Sequence, residues 1–191
     1  MVIVLAGRRI DKEGATPPRF PLRQAAVVEK KLEAFFREHR PAAIVCSGAC
    51  GADLLALEAA GKTGVRRRMI LPFDGQRFRA LSVTDRPGDW GDRYDRLYRE
   101  LSLSNDVVVL DLEENEEGFL ECNRAILDEG ETLARMHGEN GEGEGGEDGL
   151  TGLLALLVWD GSPKKGSDVT GAFGKEAIAR GIKVEEISTL A

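Results

Sequence analysis

Continuous apolar runs alternate along this chain with stretches in which apolar residues recur every three or four positions. Residues 2–6, 44–45, 69–71, 107–110 and 153–159 are apolar without alternation, the mark of strands buried on both faces of a parallel sheet. Lys183-Val184-Glu185-Glu186-Ile187 is a short charged run that suits an edge strand. Between these runs, Ala25, Val28, Leu32, Phe35 and Phe36 keep helical spacing within 22–39. Helical segments also fill 76–103, broken at Pro87-Gly88, and Leu120, Ala125, Ile126 and Leu133 mark an amphipathic helix over 119–135. A last helix is expected over 172–180. Strands alternating with helices through right-handed crossovers predict an α/β fold: a single doubly wound, mostly parallel Rossmann-like sheet with helices on both faces. One domain is expected over 1–191, with a flexible acidic, glycine-rich loop at 138–149, where like charges repel and nothing can form a core.

The most informative stretch is Ile44-Val45-Cys46-Ser47-Gly48-Ala49-Cys50-Gly51-Ala52-Asp53-Leu54-Leu55. A β-branched run stops at Ser47-Gly48, small residues follow, and the helix formers Ala and Leu take over from Asp53. Gly48 and Gly51 permit a sharp bend and a close backbone approach. A helix start carries unpaired N–H groups and partial positive charge, which suits a phosphate or carboxylate. Neither GxGxxG nor GxxxxGK[ST] is present, so the turn alone does not separate a ligand site from a plain strand-to-helix connection. Asp160-Gly161-Ser162 and Gly166-Ser167-Asp168-Val169-Thr170 form a second glycine-bearing loop after a strand, able to complete a phosphate cradle. Past the first strand, Gly7, Arg8, Arg9 and Asp11 occupy the carboxyl-end position where open α/β sheets place ligands.

The charge balance narrows the partners. With 26 Lys and Arg against 33 Asp and Glu, a net charge of −7 argues against a general nucleic-acid binder, so no long nucleic acid is expected. No apolar run reaches membrane-spanning length and the chain opens directly on a strand, so no membrane association and a cytoplasmic location are expected. Cys46, Cys50 and Cys122 show no metal-ligand spacing, and no metal or cofactor is expected. Cys46 reads as a small buried hydrophobe, whereas Cys50, at a helix start, is open to activation as a thiolate.

Two further features could carry chemistry. Leu54, Leu55 and Leu57 define a buried arc into which Glu58 falls. A core-facing carboxylate must be paired, protonated or in contact with a ligand, so Glu58 is either an ion-paired structural residue or a catalytic one. Trp90, Arg93, Tyr94 and Tyr98 share spacings that serve core packing or stacking on a base. Asn123 offers two-sided hydrogen bonding within its helix.

Gly7-Arg8, Ser47-Gly48-Ala49-Cys50-Gly51-Ala52-Asp53, Leu71-Pro72-Phe73, and Val158-Trp159-Asp160-Gly161 ahead of 166–170 together resemble the SLOG superfamily, named for the DNA-processing protein Smf and the Lonely-guy enzymes. The likeness runs over 1–190 apart from 138–149. It implies a Rossmann-like fold that binds nucleotides or nucleotide-derived ligands at the two glycine loops, in enzymes and in sensors, and a homodimer. The Lonely-guy branch hydrolyses the N-glycosidic bond of nucleoside monophosphates with an arginine and a glutamate just after the second loop. Here Gly171-Ala172-Phe173-Gly174-Lys175 stands in that place and the first acid is Glu176, so the catalytic glutamate does not carry over.

The expected function is therefore binding of a nucleotide-derived small molecule, as a sensor or ligand-responsive module. Gly7, Arg8, Ser47, Gly48, Ala49, Cys50, Gly51, Asp53, Asn123, Asp160, Gly161, Gly166, Ser167 and Thr170 are the candidate ligand-binding residues. Arg8 is expected near the phosphate, Asp53 holding the turn, and Asp160 or Asn123 toward the ribose. One alternative is a hydrolase of the nucleotide N-glycosidic bond with Glu58 as its carboxylate, and another is an interaction protein with a vestigial pocket. Gly51→Val is expected to abolish binding and leave the fold intact.

Overall fold

The computed structural model describes residues 1–139 and 152–190. Its strands are β1 (Val2–Gly7), β2 (Ala43–Cys46), β3 (Arg66–Leu71), β4 (Val107–Val109), β5 (Leu153–Trp159) and β6 (Lys183–Ser188). They form one six-stranded sheet in the order β4-β3-β2-β1-β5-β6, with every neighbouring pair parallel. The helices are α1 (Ala25–His39), α2 (Ala52–Lys62), α3 (Gly75–Ser82), α4 (Trp90–Leu103), α5 (Glu116–Glu139) and α6 (Val169–Ala179). The architecture is the α/β, Rossmann-like arrangement expected from the alternation of runs.

Two apolar layers sandwich the sheet. On one face Ile3, Leu5 and Ile44 pack with Leu32 and Phe36 of α1, Leu54 and Leu57 of α2, and Trp90 and Tyr94 of α4. On the other face Val2, Val4 and Val45 pack with Ile126 and Leu127 of α5 and Phe173 of α6. Burial on both faces is why β1 and β5 read as unbroken apolar runs. β6 is an edge, as its charges suggest, with Lys183 and Glu186 exposed.

Boundaries differ from the sequence reading in several places, of which three bear on the site or the edge of the sheet. β3 begins at Arg66 rather than after the basic run, because Asp106 accepts from Arg66 at 2.8 Å and Glu129 takes Arg68 at 2.5 Å. α6 begins three residues early, at Val169, because the Asp168 side chain caps it by accepting from the Gly171 N–H. α5 starts at Glu116 and continues to 139, into the region expected to be loop. The remainder of the expected acidic loop, 140–149, lies outside the described residues.

The chain builds outward from β1 to β4 and then crosses back to β5 on the other side of β1. This reversal is the topological switch point at which open α/β sheets bind ligands, outside the carboxyl ends of the strands.

Candidate functional site

At that switch point lies a cavity of about 630 Å³. Its floor is Leu5, Ala6 and Gly7 at the end of β1, and its walls are the loops after β1, β2 and β5 together with faces of α3 and α5. Gly7 lets these elements close up, since a Cβ there would collide with Ala52 and stand 2.7 Å from the Val158 carbonyl oxygen. The Ala52 N–H donates to the Arg8 carbonyl at 3.1 Å, and the Arg8 N–H donates to the Val158 carbonyl at 2.8 Å. The start of α2 and the end of β5 are thereby held against the same turn.

Arg8 is the central strut. Its guanidinium is almost wholly buried; Nε donates to Asp160 at 2.8 Å, Nη1 pairs with Asp168, and Nη2 donates to the Ser162 carbonyl at 2.6 Å. Arg19 adds a second cation on the other oxygen of Asp160 at 2.7 Å. The Arg8 pKa is raised: burial opposes the charge, and the hydrogen bonds and charges of Asp168 and Asp160 outweigh it. Those carboxylates hold the loop 160–168 over the site. Removing one member would strand the others as unpaired buried charges, which is strongly destabilising.

The two glycine turns are closed by the protein itself. After β2, the Ala49 N–H donates to Asp53 Oδ2 at 3.2 Å and the Cys50 N–H donates to the Ser82 carbonyl at 3.0 Å. After β5, Asp168 already places a carboxylate at the N-terminus of α6 and also accepts from the Lys164 N–H at 2.7 Å. The Thr170 hydroxyl donates to the Gly7 carbonyl at 3.1 Å. Several main-chain donors expected to cradle phosphate are thus engaged internally.

Side chains supply the positive field instead. Six cationic residues, Arg8, Arg9, Lys12, Arg19, Arg86 and Lys164, line the cavity against three acidic ones, Asp11, Asp53 and Asp168. Arg9 pairs with Asp85, and its buried Nε has no hydrogen-bond partner among the described residues. Arg86 Nε donates to the Ile10 carbonyl at 2.9 Å, tying the loop between α3 and α4 to the cavity. The Lys164 ammonium has no hydrogen bond or ion pair among the described residues. Although the residue as a whole is exposed, its pKa is lowered, first by partial desolvation of the ammonium and then by the neighbouring charge of Arg8. Asp53 is the buried carboxyl of the wall, 6% exposed, and burial pushes it up to about 7 against the pull of Ala49 and Arg9. Apolar contact comes from Phe78, Phe119, Cys122 and Ile126. Among the described residues, no group of three or more His, Cys, Asp and Glu stands where it could hold a metal ion.

Of the residues expected at a site, the cavity brings together Gly7, Arg8, Ser47, Ala49, Asp53, Asn123, Ser167 and Thr170. Gly48 faces Met69 and Tyr94 instead, and Gly51 faces the backbone of the β1 loop. Asp160 is covered by Arg8 and Arg19, while Gly161 and Gly166 sit outside the lining. Cys50 is fully buried away from the cavity and burial raises its pKa, the opposite of thiolate activation. Glu58 is corrected to the ion-paired role: Arg93 lies 2.9 Å away and Arg96 pairs with its other oxygen, in a separate surface cleft shared with Glu29 and Lys62. Trp90 and Tyr94 are core residues, with the Tyr94 hydroxyl donating to the Gly75 carbonyl at 3.0 Å. Sequence reasoning passed over Arg19, Arg86, Lys164 and Phe119, which lie in connections or at an element's end. Only Lys164 carried a local signal, its place within the second glycine-bearing loop.

No protein-family model matches this chain, and no curated protein matches its sequence. Among solved structures, it is similar in fold to DNA processing protein A from Streptococcus pneumoniae, with TM-score 0.44 and 15% identity, over 96% of this chain. The chain spans 57% of that protein's length. It is also similar to DNA processing protein A from Helicobacter pylori, with TM-score 0.41 and 15% identity, over 98% of this chain and 75% of that one. The second is described for its single-stranded DNA binding mode. The expectation that a long nucleic acid is excluded is withdrawn. A net charge summed over the chain does not report a local field, and the cavity is cationic within an acidic molecule. Among the described residues no helix is long and apolar enough to cross a membrane.

Proposed function

We propose that the cavity binds a nucleotide or nucleotide-derived ligand through its phosphate and that the chain acts as a ligand-responsive module. The observation that carries this reading is Lys164, a cation with no ion pair among the described residues, near Arg8 and lining a cavity rich in positive charge. An anion there offsets the repulsion from Arg8 and favours the charged form of the lysine. The apolar contacts of Phe78, Phe119 and Ile126 offer a place for a base. Arg9 and Arg86 couple the site to the loop between α3 and α4 through Asp85 and the Ile10 carbonyl, so a phosphate that recruits either arginine alters that loop. The hydrolytic reading loses the carboxylate on which it stood, because Glu58 is ion-paired in another cleft.

The test is calorimetric titration of nucleoside mono-, di- and triphosphates, NAD and ADP-ribose, with a single-stranded oligonucleotide as a separate arm. Lys164→Ala is expected to weaken binding of the active ligand about tenfold and to leave the unliganded melting temperature nearly unchanged, since Lys164 is exposed. Unaltered affinity in that variant refutes the placement. Binding by the oligonucleotide arm alone moves the ligand from free nucleotide to strand.

A further inference from the structure

Asp53 stands at the start of α2 with 6% of its surface exposed, and what remains open lines the cavity. Its Oδ2 accepts the Ala49 N–H at 3.2 Å, and its other oxygen has no hydrogen-bond or ion-pair partner among the described residues. Its other oxygen opens into the cavity, where water or a donor brought by a ligand can reach it. Burial of the rest of the side chain pushes this carboxyl up to about 7.

Asp53 lines one cavity together with the cations Arg9 and Lys164 and the apolar side chains Phe119, Cys122 and Ile126. In a nucleotide the sugar is bonded between phosphate and base. A nucleotide that sets its phosphate on those cations and its base on those apolar side chains carries its sugar hydroxyls within the same cavity, where Asp53 keeps one carboxylate oxygen open to accept them.

Resting on the nucleotide reading above, we infer that Asp53 is a specificity-determining residue that accepts hydrogen bonds from ribose hydroxyls, selecting ribonucleotides over their 2′-deoxy counterparts. Asp160, the other carboxylate considered for this role, has both oxygens taken by Arg8 and Arg19.

The experiment is calorimetric titration of the full chain with the four ribonucleoside 5′-monophosphates and the four 2′-deoxyribonucleoside 5′-monophosphates. The bound ribonucleotide is expected to be preferred over its deoxy form about tenfold, the effect of one hydrogen bond to a charged acceptor. In Asp53→Asn that ratio falls to about threefold or less. Equal affinities for both sugars in the unaltered protein overturn the inference and leave the nucleotide reading standing, and this comparison requires no variant. An undiminished ratio in a folded Asp53→Asn also overturns it. Failure of all eight nucleotides to bind overturns this inference and leaves the nucleotide reading to the titrations with di- and triphosphates, NAD and ADP-ribose.

Discussion

At the scale of single residues, the site contrasts two buried ionisable groups in one small volume. Arg8 has its donors met by Asp160, Asp168 and the Ser162 carbonyl, so it braces the loop over the cavity. Asp53 has one oxygen met, and its pKa rises to about 7. Two groups act on Asp53 against burial, the Ala49 N–H and Arg9, both of which lower its pKa, and its own charge in turn raises the thiols of Cys46 and Cys122. A carboxyl whose folded pKa exceeds its unfolded value binds more protons when folded. Its contribution to stability is therefore full at low pH and is lost as pH rises from about 4 through about 7. Asp53→Asn, which cannot ionise, is thus expected to gain on the unaltered protein by about 2 kcal/mol between pH 5 and pH 8. Denaturant melts at both pH values check this, and a difference that does not change with pH refutes it.

At the scale of elements, the contact between the β1 loop and the start of α2 decides the geometry. Gly51 has φ +95°, and a Cβ on it would stand 2.8 Å from both the Arg8 carbonyl oxygen and the Ile10 nitrogen. These are backbone atoms that cannot swing away. The expectation that Gly51→Val leaves the fold intact is therefore corrected. Even Gly51→Ala is expected to cost at least about 2 kcal/mol, from left-handed backbone strain and from the collision. For a chain of this size that lowers the melting temperature by about 4–8 °C, which a thermal melt followed by circular dichroism measures. The glycine was legible in the sequence as a turn residue. That it faces another loop, and not a ligand, was not legible, because the partner is more than 40 residues away in the chain.

At the scale of the whole molecule, the sheet carries two apolar layers with a tryptophan in each. Trp90 belongs to the layer of α1, α2 and α4, and Trp159 packs with the layer of α5 and α6. Every strand is hydrogen-bonded into one sheet, so the two layers share their backbone scaffold. We expect them to unfold together as one domain. In single-tryptophan variants, Trp90→Phe and Trp159→Phe, the fluorescence transitions in urea are expected to share one midpoint after correction for the stability change of each variant. Separate midpoints, differing from the far-ultraviolet transition, refute a single cooperative unit.

Residue order by itself determined the α/β class, the succession of strands and helices, and the edge character of β6, because hydrophobic period and turn residues are local properties that each segment carries alone. It also pointed to the ends of β1, β2 and β5 as the place for a site. Only the tertiary structure decided which residues there are free. Arg8 and Asp160 were read as ligand groups and prove to be ion-paired with partners about 150 residues distant, while Glu58 found its arginines on α4. Lys164 and Asp53 emerged as the groups with unmet need. Whether a charge is satisfied depends on what the fold brings within hydrogen-bond distance and how far it excludes water, and neither is encoded in the spacing of residues along the chain.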